Sequence, residues 1–344
     1  MPFFIAIALA LVLTWFARRI GLATGLVDRP SPAGEGELRE LKIHTVPIPV
    51  LGGLGVMLAV PATLLLEGRG LPLAITAGVV LATAIGLVDD ARPLPASVRL
   101  VALAGAGVLL AFGLPLDPLG PFALLARVGT VVLVLLLANA VNLIDGQDGL
   151  AGGLGAIAST GLAALIIAND RDPLVAVALA GALVGFLAWN LPPARVFLGN
   201  GGAYGLGALL TVLTAQVTLG HGWHGLLAAG LCLGVFAFEL AFTVVRRLVA
   251  SQGLATGDRR HSYDLLGRSR GNRDRSTLAL WTLGAVAAGA GYAADKVSLA
   301  AAGTMIAVAF VIGTAAGGRL WREATGIGSE GGRPVETPGL QERG

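Results

Sequence analysis

Residues 121–153 read PFALLARVGTVVLVLLLANAVNLIDGQDGLAGG. The run from Pro121 to Val141 is apolar but for Arg127, Thr130 and Asn139. Its length matches the roughly 20 residues a helix needs to cross a bilayer. The character then changes abruptly. Asn139, Asn142, Asp145 and Asp148 fall within ten residues, followed by Gly149, Gly152 and Gly153. If 145–148 is helical, Asp145 and Asp148 share a face. Two amides and two acids beside such an apolar run point to a ligand, since ionisable groups next to a span are costly. Solvated acids at a helix end are the plainer alternative.

Working outward, the whole chain is apolar. Of 344 residues, 55% are hydrophobic and 13% charged, with a mean hydropathy of +0.79. Soluble domains carry about 25% charged residues, so most of this surface has lipid as its solvent. The 51 glycines fit close helix packing in a membrane. Cys232 is the single cysteine, which excludes an internal disulfide and a Cys-based metal site. The excess of +3 is too small and too localised to suggest nucleic acid.

Eleven spans are expected, at about 3–20, 47–66, 72–88, 98–114, 121–141, 149–168, 173–190, 203–220, 224–247, 276–294 and 297–316. The fold class is an all-α polytopic transmembrane bundle. The first apolar run has no cation before it, while Arg18 and Arg19 follow, so it reads as a first span rather than a signal peptide. Numbering the connections by parity tests the map. Of the 24 Lys and Arg residues, only Arg69, Arg127, Arg171 and Lys296 fall on one side. The other side is therefore cytoplasmic, with the N-terminus outside and the C-terminus inside. Residues 1–318 form one integral-membrane domain. The tail 319–344, rich in Gly, Glu and Pro, is expected to be disordered.

By the same parity the remaining chemistry lies on the cytoplasmic side. Asp89 and Asp90 end the third span in GLVDD. Four carboxylates brought together would repel unless a cation neutralised them, and Mg2+ (or Mn2+) is the hard, oxygen-preferring choice. The segment GNGGAYGLG (199–207) opens the eighth span; backbone N–H groups at such a helix start suit phosphate. GDRRHSYD (257–264) follows the ninth span and carries Arg259, Arg260, His261 and Asp264. A basic loop meeting anionic headgroups explains its charge but not its His–Asp spacing. Lys42 and His44 precede PIPVLGG (47–53), where Lys42 can reach a phosphate as a point charge. His221 and His224, on the outer side, read as structural.

Together these motifs resemble the polyprenyl-phosphate N-acetylhexosamine-1-phosphate transferases, the group that includes the phospho-MurNAc-pentapeptide translocase and the polyprenyl-phosphate GlcNAc-1-phosphate transferases. The resemblance runs from about residue 25 to 270. It rests on Lys42, His44 and 47–53 for K-x-H followed by PIPxLGG, and on Asp89 and Asp90 for the paired acids. Residues 139–151 match N-A-x-N-x-x-D-G-x-D-G-L-A without a gap, the most specific of the matches. Trp189, Asn190, Pro193, Ala194, Phe197 and Gly199 echo a W-N-x-x-P-A-x-x-F-x-G pattern, and Arg246 and Arg247 match a two-arginine span end.

The resemblance implies transfer of a sugar 1-phosphate from a UDP-sugar to polyprenyl phosphate, with release of UMP, at the cytoplasmic face of the plasma membrane. It implies that Asp89 or Asp90 positions or deprotonates the lipid phosphate. Asp145 and Asp148, with Asn142, hold the nucleotide and the metal. Lys42, Arg99 and His261 contact phosphates, and Phe197 packs on uracil. His44, Asn139, Arg259, Arg260 and Asp264 complete the substrate-binding set. The reading leaves room for a homodimer. Two departures from the pattern stand out. F-x-G-D-x-G-S becomes FLGNGGA, so Asn200 replaces a metal-ligating Asp with an uncharged oxygen. H-x-H-H becomes His261, Ser262, Tyr263, Asp264. They keep a non-catalytic relative, binding polyprenyl phosphate or nucleotide sugar, as the alternative. A transporter is disfavoured because its acids would lie at mid-membrane or on both faces.

Overall fold

The computed structural model describes residues 1–30, 46–251, 253, 260–270 and 273–325. Lys42, His44 and Arg259 lie outside the described residues. The chain is an α-helical membrane protein. Its helices are α1 (Pro2–Thr24), α2 (Gly52–Leu66), α3 (Leu73–Ala91), α4 (Ala96–Gly113), α5 (Ala123–Ile144) and α6 (Leu150–Ala168). They continue with α7 (Leu174–Asn190), α8 (Gly199–Cys232), α9 (Gly234–Val249), α10 (Ser262–Arg270), α11 (Arg273–Ala294) and α12 (Leu299–Thr325). Among the described residues, seven helices are long and apolar enough to cross a membrane, and α2 and α7 are shorter apolar helices.

The surface confirms what the solvent is. Leu73 is 85% exposed, Val101 74% and Phe112 70%, which water would penalise at about 25 cal/mol per Å2. The helix α9 is inverted relative to a soluble helix. Its stripe of Glu239, Thr243, Arg246 and Arg247 is buried, while Val245, Leu248 and Val249 point outward. Only a lipid exterior favours that arrangement.

The first half of α8 is the hub. It packs against α2, α3, α5 and α6, and nearly every residue from Gly199 to Thr214 is buried, while α11 meets the second half of the helix at Ala228 and Cys232. Close approach is sterically enforced. A Cβ on Gly53 would lie 2.1 Å from Gly202 Cα, and one on Gly86 2.2 Å from the Asn200 carbonyl oxygen. These crossings bring α2 and α3 against the first turn of α8, as small residues do where helices meet in lipid. Elsewhere α1 packs on α7 and α2, α4 on α3 and α5, and α10 on α11.

Three features differ from the sequence expectation. The expected spans at 203–220 and 224–247 meet within α8, which turns at Gly222 (φ 53°, ψ −131°); the next break falls at Leu233. The expected ninth span is thus divided at Leu233 between the end of α8 and the polar-striped α9. Second, Val27–Asp28 and Ile48–Pro49 form a two-stranded antiparallel pair, a small exception to the all-α reading. Third, α12 runs on to Thr325, so the first residues assigned to the tail are helical. Residues 326–344 lie outside the described residues. At the bundle end opposite the acids, His221 Nδ1 meets the buried Asp295 Oδ1 at 2.7 Å and ties the α8 turn to α11, a structural role.

Candidate active site

The acids gather at the first turn of α8. Gly199 begins that helix at φ +74°, where an L side chain is strained and a Cβ would meet the Val50 carbonyl oxygen at 2.0 Å. The first amides of a helix have no partner within it. Here acidic side chains supply them. Gly199 N–H donates to Asp145 Oδ2 (3.2 Å), Asn200 N–H to Asp90 Oδ1 (3.0 Å) and Gly201 N–H to Asp90 Oδ2 (3.1 Å). The positive end of the α8 dipole favours both carboxylates. This corrects the expectation that these amides cradle phosphate, because the protein's own acids already occupy them.

Asp89, one residue before Asp90, is 5% exposed and accepts four hydrogen bonds. They come from Leu94 N–H (2.7 Å), Arg99 Nη1 (3.1 Å), the Asn200 side-chain amide (3.0 Å) and Tyr204 Oη (3.1 Å). Consecutive residues at the end of α3 thus point to different partners. Asp89 braces α3 to α4 and α8, and Asp90 caps α8. Asn200 spans the acids and amides: its amide nitrogen reaches Asp89, and its oxygen accepts from the Asn142 amide.

The 145–149 turn is fixed from three directions. Asp148 Oδ2 accepts from Ala194 N–H at 2.9 Å. Asn190, buried at the end of α7, accepts from Gly149 N–H (3.0 Å) and donates to the Val196 carbonyl (2.9 Å). Gln147 donates to Ser276 (3.1 Å) and to Thr277 of α11. Burial lifts the Asp145 carboxyl well above the usual carboxylate range; the charges of Asp90 and Asp148 add to this, and the Gly199 N–H opposes it. Asp145 Oδ1 has no hydrogen-bond partner among the described residues.

A second cluster lies on α9 and α10. Glu239 is 1% exposed and His261 7%. Glu239 Oε1 lies 2.8 Å from His261 Nδ1 and accepts from Thr243 Oγ1 at 3.0 Å; its Oε2 accepts from the Ser262 N–H (3.2 Å) and hydroxyl. The Tyr263 ring stacks on His261, with centroids 5.2 Å apart, and its hydroxyl donates to the Leu143 carbonyl at 3.1 Å. Tyr263 therefore joins this cluster to the Asp145 turn. Asp264 is buried at the start of α10, and Arg260 is exposed just before it.

The structure thus brings Asp89, Asp90, Arg99, Asn142, Asp145 and Asn200 together, with Asp148 on the adjoining turn. Asn139 is apart: its amide donates back to the Leu135 carbonyl of its own helix at 2.7 Å. Phe197 is held by its backbone, which donates to the Pro49 carbonyl and accepts from Gly52 N–H. Sequence reasoning missed Glu239 and Tyr204. The signal for Glu239 was present, a lone carboxylate in an apolar run with Thr243 and Arg246 at helical spacing.

The description "Glycosyl transferase family 4" fits residues 72–218, the segment that supplies the acids and the α8 start. A decaprenyl-phosphate N-acetylglucosaminephosphotransferase of Mycobacterium leprae is 30% identical over 327 residues, covering 82% of this chain and 81% of that protein. A probable undecaprenyl-phosphate N-acetylglucosaminyl 1-phosphate transferase of Bacillus subtilis is 26% identical over 303 residues, covering 83% and 81%. A phospho-N-acetylmuramoyl-pentapeptide-transferase of Desulforudis audaxviator is 36% identical over 152 residues, covering 42% and 43%. Fold, site and relatives together define an integral-membrane phosphoglycosyltransferase. The chain belongs to glycosyl transferase family 4, the polyprenyl-phosphate N-acetylhexosamine-1-phosphate transferases. Nothing in the comparisons favours the non-catalytic alternative.

Proposed function

We propose that this enzyme transfers an N-acetylhexosamine 1-phosphate from a UDP-sugar to polyprenyl phosphate, for cell-envelope glycan synthesis. The site faces the cytoplasm at the plasma membrane, with the N-terminus outside, the C-terminus inside and residues 1–318 as the membrane domain. An oxygen of the lipid phosphate bonds to the β-phosphorus of the UDP-sugar. The bond from that phosphorus to the bridging oxygen breaks, and UMP leaves with the electron pair. The observation that carries this reading is the meeting of Asp90 and Asp145 at the first turn of α8, at the end of three membrane helices.

The geometry divides the labour among the acids. Asp89 already has four donors, so it holds Arg99, Asn200 and Tyr204 in place. Asp145, with one oxygen unbonded, is the group able to take a cation, and Asp90 beside it is the one able to orient or deprotonate the lipid phosphate. Asp148 and Asn142 serve the nucleotide side, with Phe197 against the uracil. Arg99, Arg260, Asp264 and His261, with Lys42, His44 and Arg259, serve the phosphates and sugar. Asn139, turned into its own helix, serves indirectly.

The donor set suits Mg2+, with Mn2+ as a substitute. It is all oxygen, and Asp145 feels the charges of two further carboxylates, Asp90 and Asp148. Among the described residues, no three acidic, His or Cys side chains converge at metal-holding spacing. That matches an ion held by one or two carboxylates plus substrate phosphates and water. Asp145 would hold it, with Asn200 contributing an amide oxygen. Bound there, the cation would offset charge on the two phosphates as the transfer proceeds.

The test is purified full-length protein in detergent with Mg2+, polyprenyl phosphate and a panel of UDP-N-acetylhexosamines. UMP release with a lipid diphosphosugar of matching mass, lost in Asp145→Asn, supports the reading. Lack of release with every donor, from protein that still unfolds cooperatively, overturns it.

A further inference from the structure

We infer that Glu239 is a positioning residue that fixes the proton and orientation of His261. The carboxylate and Nδ1 are 2.8 Å apart, and both residues are buried. A carboxylate accepts only, so the shared hydrogen belongs to Nδ1. This leaves Nε2 as the ring position available to a ligand, and among the described residues nothing hydrogen-bonds to it. The arrangement is over-determined. Thr243 and Ser262 donate three further hydrogen bonds that hold the carboxylate, and the Tyr263 ring lies against the imidazole at an interplanar angle of 1°.

A carboxylate in an apolar helix is expensive unless its hydrogen bonds are complete. Four donors converging on Glu239 meet that condition. A purely structural brace could be apolar, so the charge itself calls for a use. A carboxylate behind imidazole sets the tautomer and supports the charged ring when Nε2–H donates to an anionic oxygen. The chemistry at Nε2 is therefore phosphate recognition, and this step rests on the phosphate-contacting role of His261 proposed above. Other charged groups on this part of the chain are Arg246 and Arg247 of α9, Arg260 and Asp264 beside His261, and Asp145 beyond Tyr263, and the packed helices α11 and α12 carry Asp274, Arg275, Arg319 and Arg322. All are unchanged in a Glu239 variant.

The experiment uses full-length protein in detergent with 15N-labelled histidine, and His261→Gln assigns the His261 signals. In the native protein the neutral ring shows the proton on Nδ1. In Glu239→Gln, whose amide can present either a donor or an acceptor to the ring, the Nε2–H tautomer appears beside the Nδ1–H form. In Glu239→Asp the Nδ1–H form stays dominant. An unchanged tautomer ratio in a cooperatively folded Glu239→Gln protein overturns the assignment, and so does a native ring protonated on Nε2. This readout needs no turnover, so it stands even if no UDP-sugar is a donor.

Kinetics supply the second arm. Glu239→Gln lowers kcat about tenfold or more, and Glu239→Gln/His261→Gln is no slower than His261→Gln alone. A double variant much slower than His261→Gln would show that Glu239 acts elsewhere.

Discussion

The side-chain amide of Asn200 donates to Asp89 Oδ2 at 3.0 Å, while its oxygen accepts from Asn142. Asn200 is thus a neutral bridge between the acid that ends α3 and the amide near the end of α5. It quiets Asp89 without a cation, which an aspartate could not do.

Asn200→Asp would set a third carboxylate beside Asp89 and Asp90 and remove a donor. Without divalent cation the variant should lose about 1–3 kcal/mol of stability. Added Mg2+ should raise its Tm more than it raises that of the native protein, and half-maximal rate should need less Mg2+. Thermal unfolding with and without chelator measures this. Equal Mg2+ responses in both proteins would place Asn200 away from the cation.

Around Asp89 the donors differ in kind. Tyr204→Phe removes one hydrogen bond from an uncharged donor to the carboxylate and should cost about 1–2 kcal/mol. Arg99→Gln removes the ion-pair partner of a carboxylate whose side chain is 3% exposed; with three donors remaining, it should cost somewhat more, about 1–3 kcal/mol. The guanidinium is itself 27% exposed, so salt weakens the pair. The order of the two Tm losses, and its compression at high salt, is the measurement.

Gly25 and Gly199 share φ near +75° but not surroundings. A Cβ at Gly25 meets nothing within 4 Å, whereas one at Gly199 lies 2.0 Å from the Val50 carbonyl oxygen. Gly25→Ala should cost only the left-handed penalty, about 1–2 kcal/mol, with activity kept. Gly199→Ala must also push α8 from Val50 and should abolish UMP release. Parallel assays of the two variants decide it.

The raised Asp145 carboxyl gives stability a direction with pH. Its folded-state pKa lies above the unfolded value of about 3.9, so the folded form holds more protons between the two. In chelator, raising pH through that window should lower the stability of the native protein. Asp145→Asn lacks this contribution, so its advantage over the native protein should grow with pH and then level off. Mg2+ held by Asp145, as proposed above, would displace the same proton, so its apparent affinity should weaken as pH falls. Tm against pH for both proteins, with and without Mg2+, reads both effects.

Much of the molecule was legible in the one-dimensional pattern. Apolar runs of bilayer length, few charges and cations favouring one parity determined a helical membrane protein, because lipid leaves a backbone little choice but the helix. The 139–151 motif marked the candidate site, since acids and amides beside a span are costly. Helix assignment failed where periodicity is silent: at Gly222, which turns α8, and along α9, whose charges face inward.

What only the folded chain decided is the partner of each group. Asp89 and Asp90 are neighbours in sequence, yet one is saturated by Arg99, Asn200, Tyr204 and Leu94, while the other caps α8. Glu239 meets His261 across 22 residues, and Asn200 meets Asp89 across 111. Spacing along a helix fixes which face a side chain takes; what stands opposite depends on how closely glycines let the helices cross.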